Sequence, residues 1–340
     1  MKPTLPLLAA VLAATSLSTA FAQDKVLNLY TSRHYQTDEA LYDNFTKATG
    51  IKINRIEAGE DPLIERMKQE GARSPADVLM TVDAGRLWRA EQADLFQPIK
   101  SKVLDAAIPA ALRHPDGLWY GFSVRARPIF YAKGRVDPKA IAEYENLADP
   151  ALKGKICIRS SSNVYNLSLM SSMIAAHGAE KAESWAKGVV GNMARAPKGG
   201  DTDQLMALAA GECDVAVANT YYYVRLLKST KPAEKAAAEK IGVVFPNQKD
   251  RGAHVNISGA GVAKHAPHRE AAIKFLEYLA SPEAQAYFAN GNNEYPVVGQ
   301  VSGNAELAAL GTFNKDAVNV SVYGTQQAAA QQAYDRAGWK

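Results

Sequence analysis

The sequence predicts an α/β protein of two domains, with a two-strand hinge and an interdomain cleft. Three observations predict it. Strands and helices alternate from Val26 to Asp94 and again from about Lys155 to Val244. Two long extended stretches, Gly121–Lys133 and Ala253–Val262, are suited to carry the chain between domains and back. The chain has 340 residues, 47% of them hydrophobic and 22% charged, which is globular composition and enough length for two cores.

The chain opens with a leader. Lys2 is followed by an apolar core from Leu5 to Leu17 and by Ala20-Phe21-Ala22, the pattern of a cleaved secretory signal over residues 1–22. Thr15, Ser16, Ser18 and Thr19 interrupt the apolar run, leaving it short of the roughly 20 residues a membrane span needs. No cysteine follows the cleavage signature, so no lipid anchor is expected. A soluble periplasmic protein, and a monomer, is the expectation.

The first strand is Val26–Tyr30, followed by a loop, Thr31 to Thr37, and a helix from Asp38 to Thr49 that Gly50 stops. Ile51 to Ile56 alternates as a strand, Leu63 to Gly71 is helical, Ala76 to Val82 is a strand and Ala84 to Asp94 a helix. This alternation predicts a mostly parallel sheet, whose ligands sit in loops beyond the strand carboxyl ends. After the first crossing come a strand at Lys155–Arg159, a Ser- and Asn-rich loop from Ser160 to Asn166, and a strand at Val215–Ala218. Helices Glu270–Leu279, Pro282–Asn290 and Gln326–Trp339 close the chain. Two crossings make both domains discontinuous: 23–124 plus 254–302, and 125–253 plus 303–340.

Charge and cysteine content narrow the function. The net charge of +4 falls to +3 without the leader and is spread along the chain, so nucleic-acid binding has no footprint. Cys157 and Cys213 are the only cysteines, too few for a disulfide scaffold or a cysteine zinc site. Both begin short apolar strands, Lys155-Ile156-Cys157-Ile158 and Glu212-Cys213-Asp214-Val215, and an oxidising compartment favours a disulfide between them.

Three local features fall beyond strand carboxyl ends: His34-Tyr35, Tyr165, and Tyr221-Tyr222-Tyr223. Taken singly, a loop histidine is a surface residue and a tyrosine run is helix-start packing. Their convergence on one cleft is what points to chemistry. Phenolate is a hard anionic oxygen donor whose free pKa of about 10 keeps it protonated at neutral pH. Only a strongly charged, hard cation binds several at once. Zinc favours Cys and His, and calcium favours carboxylates. Ferric iron fits this donor set, for tyrosinate serves as a haem-iron ligand in catalase and imidazole also suits iron.

The loops Arg33-His34-Tyr35, Ser161-Ser162-Asn163-Val164-Tyr165-Asn166 and Ala218-Asn219-Thr220-Tyr221-Tyr222 resemble those of periplasmic ferric-iron-binding proteins. Ala76-Asp77-Val78-Leu79, Tyr120–Arg127 and Glu294-Tyr295-Pro296-Val297 extend the likeness over essentially the whole mature chain. The resemblance implies the two-domain periplasmic solute-binding fold (type II). It implies Fe³⁺ ligands at His34, Tyr35, Tyr165, Tyr221 and Tyr222, with Tyr223 packed inside. Another branch of the family uses a Glu, fewer tyrosines and a bound anion, so a carbonate-like anion stays open here. Arg125 is the candidate to hold it, Arg33 a weaker one, and Glu57 and Glu60 are minor alternatives as ligands. The family further implies delivery to an inner-membrane ABC permease driven by an ATPase.

Two rival readings stand beside this one. The same fold could hold ferrous iron or a small organic anion, with Arg125, Arg127 and the serine-rich loop as the anion site. An exported hydrolase using Ser161 or Ser162 is the other, but the chain has no Gly-x-Ser-x-Gly elbow and no His-Glu-x-x-His. A binding protein, with no enzymatic activity, is the expectation.

Overall fold

The computed structural model describes residues 25–33 and 37–340. His34 and Tyr35, and the leader, lie outside the described residues. The strands in chain order are β1 (Val26–Thr31), β2 (Lys52–Glu57), β3 (Val78–Val82), β4 (Tyr120–Ala126), β5 (Ile129–Ala132), β6 (Ile156–Cys157), β7 (Val215–Val217), β8 (Ile241–Val244), β9 (Val255–Val262) and β10 (Tyr295–Pro296). They form a six-stranded sheet, β10-β4-β9-β3-β1-β2, and a four-stranded sheet, β6-β7-β5-β8.

Neither sheet is mostly parallel, which corrects the sequence expectation. In the larger sheet β1 is parallel to β2 and β3, while β3–β9, β4–β9 and β4–β10 are antiparallel. In the smaller one β6–β7 is parallel, and β5 is antiparallel to both β7 and β8. The crossings explain this. A chain that leaves one sheet on β4 and re-enters it on β9 arrives in the opposite direction, and β9 inserts between β3 and β4. Only Arg127 and Pro128 separate β4 from β5. The two crossings touch where the Arg127 N–H donates to the His254 carbonyl at 3.1 Å.

Local chemistry accounts for the elements. The helix Asp38–Thr49 buries Leu41, Tyr42 and Phe45 on one face and ends at Gly50, whose φ of +71° is the left-handed cap position that glycine favours. In the smaller sheet Ile129, Val215 and Val217 belong to one apolar cluster and Phe130 and Ala216 to another, the period of two expected of a sheet covered on both faces. Leu307, Val320 and Tyr323 pack with the core of the larger sheet, whereas Ala330, Tyr334 and Trp339 pack with the smaller. Cys157 and Cys213 are joined in a disulfide, with Cα atoms 5.8 Å apart, tying the end of β6 to the segment that enters β7. Among the described residues no helix is long and apolar enough to cross a membrane.

Candidate metal centre

Tyr165 does not lie in a loop, as its Ser- and Asn-rich surroundings suggest. It occupies the first turn of a helix, Val164–His177. Asn163 is the N-cap, its Oδ1 accepting from the Tyr165 N–H at 3.1 Å. The helix is buried almost all round from Asn166 to Ile174, so it carries no apolar stripe for sequence reading to find. Tyr221 and Tyr222 open a second helix, Thr220–Leu227, which follows β7 with Asn219 as its N-cap. Two helix N-termini thus converge.

The phenols meet there. The Tyr221 hydroxyl donates to the Tyr165 hydroxyl at 3.3 Å, and the Tyr221 and Tyr222 ring centroids are 4.3 Å apart. Tyr221 is buried, whereas Tyr165 and Tyr222 are half-buried. Tyr223 turns the other way and packs inside, donating to the Ala238 and Ile241 carbonyls at 3.2 Å each. Four guanidinium groups ring the cluster. Arg159 and Arg127 lie 5.4 and 5.8 Å from the Tyr165 ring centroid, Arg125 5.9 Å from Tyr221, and Arg225 5.1 Å from Tyr221.

The facing wall, built on the larger sheet, is ionic. Glu294 is buried among Ser123, whose hydroxyl donates to it at 2.6 Å, Arg33 at 3.3 Å and Arg125 at 3.4 Å. Arg125 also bonds Ser258, and Arg33 pairs with Asp38 at 2.9 Å. Burial works against ionisation of Glu294, but Arg33 and Arg125 outweigh it and hold the carboxyl below its ordinary range. Across the cleft, the Ser168 hydroxyl on the Tyr165 helix donates to Asp83 at the end of β3, 2.7 Å away.

Residues 73–314 match the family of bacterial extracellular solute-binding proteins. The chain belongs to that family. It is 54% identical over 335 residues to the iron uptake protein A2 of Synechocystis sp., covering 98% of this chain and 95% of that one. Among solved structures it is similar to a Trichodesmium protein, IdiA or FutA, in complex with iron and citrate, at 59% identity, a TM-score of 0.90, and 93% and 100% coverage. A Bordetella ferric binding protein follows at 41% identity and a TM-score of 0.85, covering 92% of this chain and 99% of that one. The fold is therefore the two-domain, type II solute-binding fold of these proteins.

Within this solute-binding protein the Tyr165 phenol is held in its protonated form. Burial, reinforced by the neighbouring Tyr222, pushes the Tyr165 hydroxyl up to about 12, against the pull of Arg125, the Tyr221 hydrogen bond and Arg86. Of the residues nominated from sequence, Tyr165, Tyr221, Tyr222 and Arg125 are brought together. Glu57 is instead exposed beside Arg55 at 2.9 Å, and Glu60 is buried against Arg86 at 2.5 Å. Burial raises the Glu60 carboxyl to about 7 in spite of Arg86 and Arg89. Among the described residues, no group of three His, Cys, Asp or Glu side chains is placed to hold a metal ion. The sequence reading missed Arg159, Asp201, Asn166 and Asn219, which stand behind the phenols. An Asn directly before Thr-Tyr-Tyr is an N-cap signal, and it alone of these was open to detection.

Proposed function

We propose that this protein binds ferric iron in the periplasm through Tyr165, Tyr221 and Tyr222, joined by His34 and Tyr35, and hands it to an inner-membrane ABC permease with its ATPase. The observation that carries the reading is the meeting of the Tyr165 and Tyr221 hydroxyls, with the Tyr222 ring tilted against that of Tyr221. Two phenol oxygens in contact, with a third phenol ring beside them, become a hard, anionic donor set once a trivalent cation displaces their protons. The relatives, an iron uptake protein and proteins described with iron or as ferric binders, support the same cargo.

Charge counting assigns a role to Arg125. Four phenolates against three positive charges leave one negative charge, which a neutral His34 does not alter. Arg125 offsets it directly or through a carbonate-like anion held beside the metal. The division into lobes 23–124 plus 254–302 and 125–253 plus 303–340 is part of the proposal, with Leu307, Val320 and Tyr323 of the last segment reaching back onto the core of the larger sheet; removal of residues 1–22 and a monomeric working state belong to it too. Iron binds the tyrosine side first, and hinge closure brings the remaining donors.

The deciding measurement is a visible absorption titration of the purified mature protein with ferric citrate. A broad tyrosinate-to-iron band saturating at one metal per chain, bleached by reductant, is the expected result. A protein that stays colourless overturns the ferric assignment and moves the cargo to ferrous iron or to an organic anion, the latter held by Arg125 and Arg127.

A further inference from the structure

Behind the phenols lies a buried ion pair that touches every element carrying them. Arg127 sits at the chain crossing directly after β4 and is 1% exposed; Asp201 heads the helix Asp201–Ala210 and is fully buried. One guanidinium nitrogen of Arg127 donates to Asp201 at 2.9 Å and to the Asn219 side-chain oxygen at 3.0 Å. The other donates to the Asn166 side-chain oxygen at 2.8 Å. Asn166 is the neighbour of Tyr165, and Asn219 is the N-cap of the helix that begins Thr220-Tyr221-Tyr222.

The cap chemistry shows what this arrangement displaces. An N-cap asparagine ordinarily turns its side-chain oxygen onto its own helix. Asn219 makes no such bond. Its oxygen accepts from Arg127 instead, and its N–H donates to Asp201 at 2.7 Å. Asp201 also faces Arg159 at 3.4 Å, and Arg159 lies over the Tyr165 ring. A departure from a local rule in favour of a shared buried partner is a feature of functional positions. Two guanidinium nitrogens fixed in one plane serve these three acceptors on separate elements, a geometry that the single nitrogen of a lysine does not reproduce.

We propose that Arg127 and Asp201 are positioning residues that set Tyr165 against Tyr221 and Tyr222 and tie that geometry to the chain crossing. This rests on the ferric reading above. Arg127 bridges both phenol-bearing helices at their first turns and, through its own backbone, holds the second crossing at His254 and accepts from the Tyr144 hydroxyl at 2.8 Å. The spacing of the donor oxygens is thereby coupled to the strands that join the two sheets.

The test uses the full mature chain as wild type, R127K, D201N, Y165F and the R127K/Y165F double variant, each titrated with ferric citrate. Outer partners of metal ligands typically contribute 10–100-fold in affinity, so R127K and D201N are expected to weaken binding by about that factor and to displace the absorption maximum. The loss from R127K should shrink in the Y165F background, because Arg127 acts through Tyr165. Folded variants with wild-type affinity and an unmoved band overturn the pair's role, as do losses that simply add. Should R127K fail to fold, D201N, almost the same shape as the native side chain, decides the matter alone. A wild type that develops no band sinks the ferric reading itself, a different result from a coloured wild type with unaffected variants.

Discussion

The two walls of the cleft solve opposite electrostatic problems. On the larger sheet, Arg33 and Arg125 face Asp38 and Glu294 with Ser123 and Ser258 between them, two cations against two carboxylates. On the smaller sheet, Arg127 and Arg159 face the single carboxylate Asp201, and the group in front of them is the Tyr165 phenol, with Tyr221 and Tyr222 beside it. The first wall keeps Glu294 ionised because it is buried beside Arg33 and Arg125. The second carries surplus positive charge behind groups that become anions only on losing protons. A cation arriving there supplies the driving force for that loss, so binding and ionisation are one event.

The largest expected effect comes from removing the ionisable groups. Changing Tyr221 and Tyr222 together to Phe should abolish the visible band and lower ferric affinity by more than the roughly 100-fold ceiling for an outer partner. A double variant that keeps its colour would break the comparison, because the second wall would then not be the donor.

Acidity should sharpen it. If Tyr35, Tyr165, Tyr221 and Tyr222 all ionise, about four protons leave per iron bound, and affinity should fall steeply as pH falls. Proton release measured in weakly buffered solution checks the number; no release would refute phenolate binding. The metal-free protein should behave in the opposite sense. Tyr165 is raised to about 12 from an ordinary value near 10, so its contribution to stability is present below pH 10 and lost as pH rises toward 12. Denaturant melts between pH 9 and 12 would show it.

Two stability changes come next. Glu294→Ala takes the carboxylate from beside two buried guanidinium groups, leaving Arg33 its pairing with Asp38, and should destabilise the fold by about 3 kcal/mol, read as a lower urea midpoint. A smaller loss than about 1 kcal/mol would mean that the Glu294 ion pairs do not hold the first wall together. Replacing Cys157 and Cys213 by Ser should remove up to about 4 kcal/mol by releasing a loop 56 residues apart in sequence. The smallest effect belongs to Tyr223→Phe, which forfeits bonds to Ala238 and Ile241, about 1 kcal/mol, and leaves the iron band untouched. Three consecutive tyrosines would thus divide cleanly by role.

Much of this architecture is written in local pattern. Alternating strands and helices, the two extended crossings, the pairing of Cys157 with Cys213, and the placement of Tyr165, Tyr221 and Tyr222 near one another follow from periodicity, turn residues and the resemblance of three short loops. The direction of the sheet strands does not, because it depends on which strand β9 joins after the second crossing. The helical setting of Tyr165 was hidden as well, since a helix buried on all sides has no polar face to give its period away.

What only the tertiary structure decided is how the chemistry is held. Arg127 lies 74 positions from Asp201, 92 from Asn219 and 39 from Asn166, and no spacing rule joins them. Residue types, and so the donor chemistry, are properties of the sequence by itself. Their distances, the burial that keeps Tyr165 protonated, and the guanidinium fork that joins two helix ends arise when separate segments fold against each other.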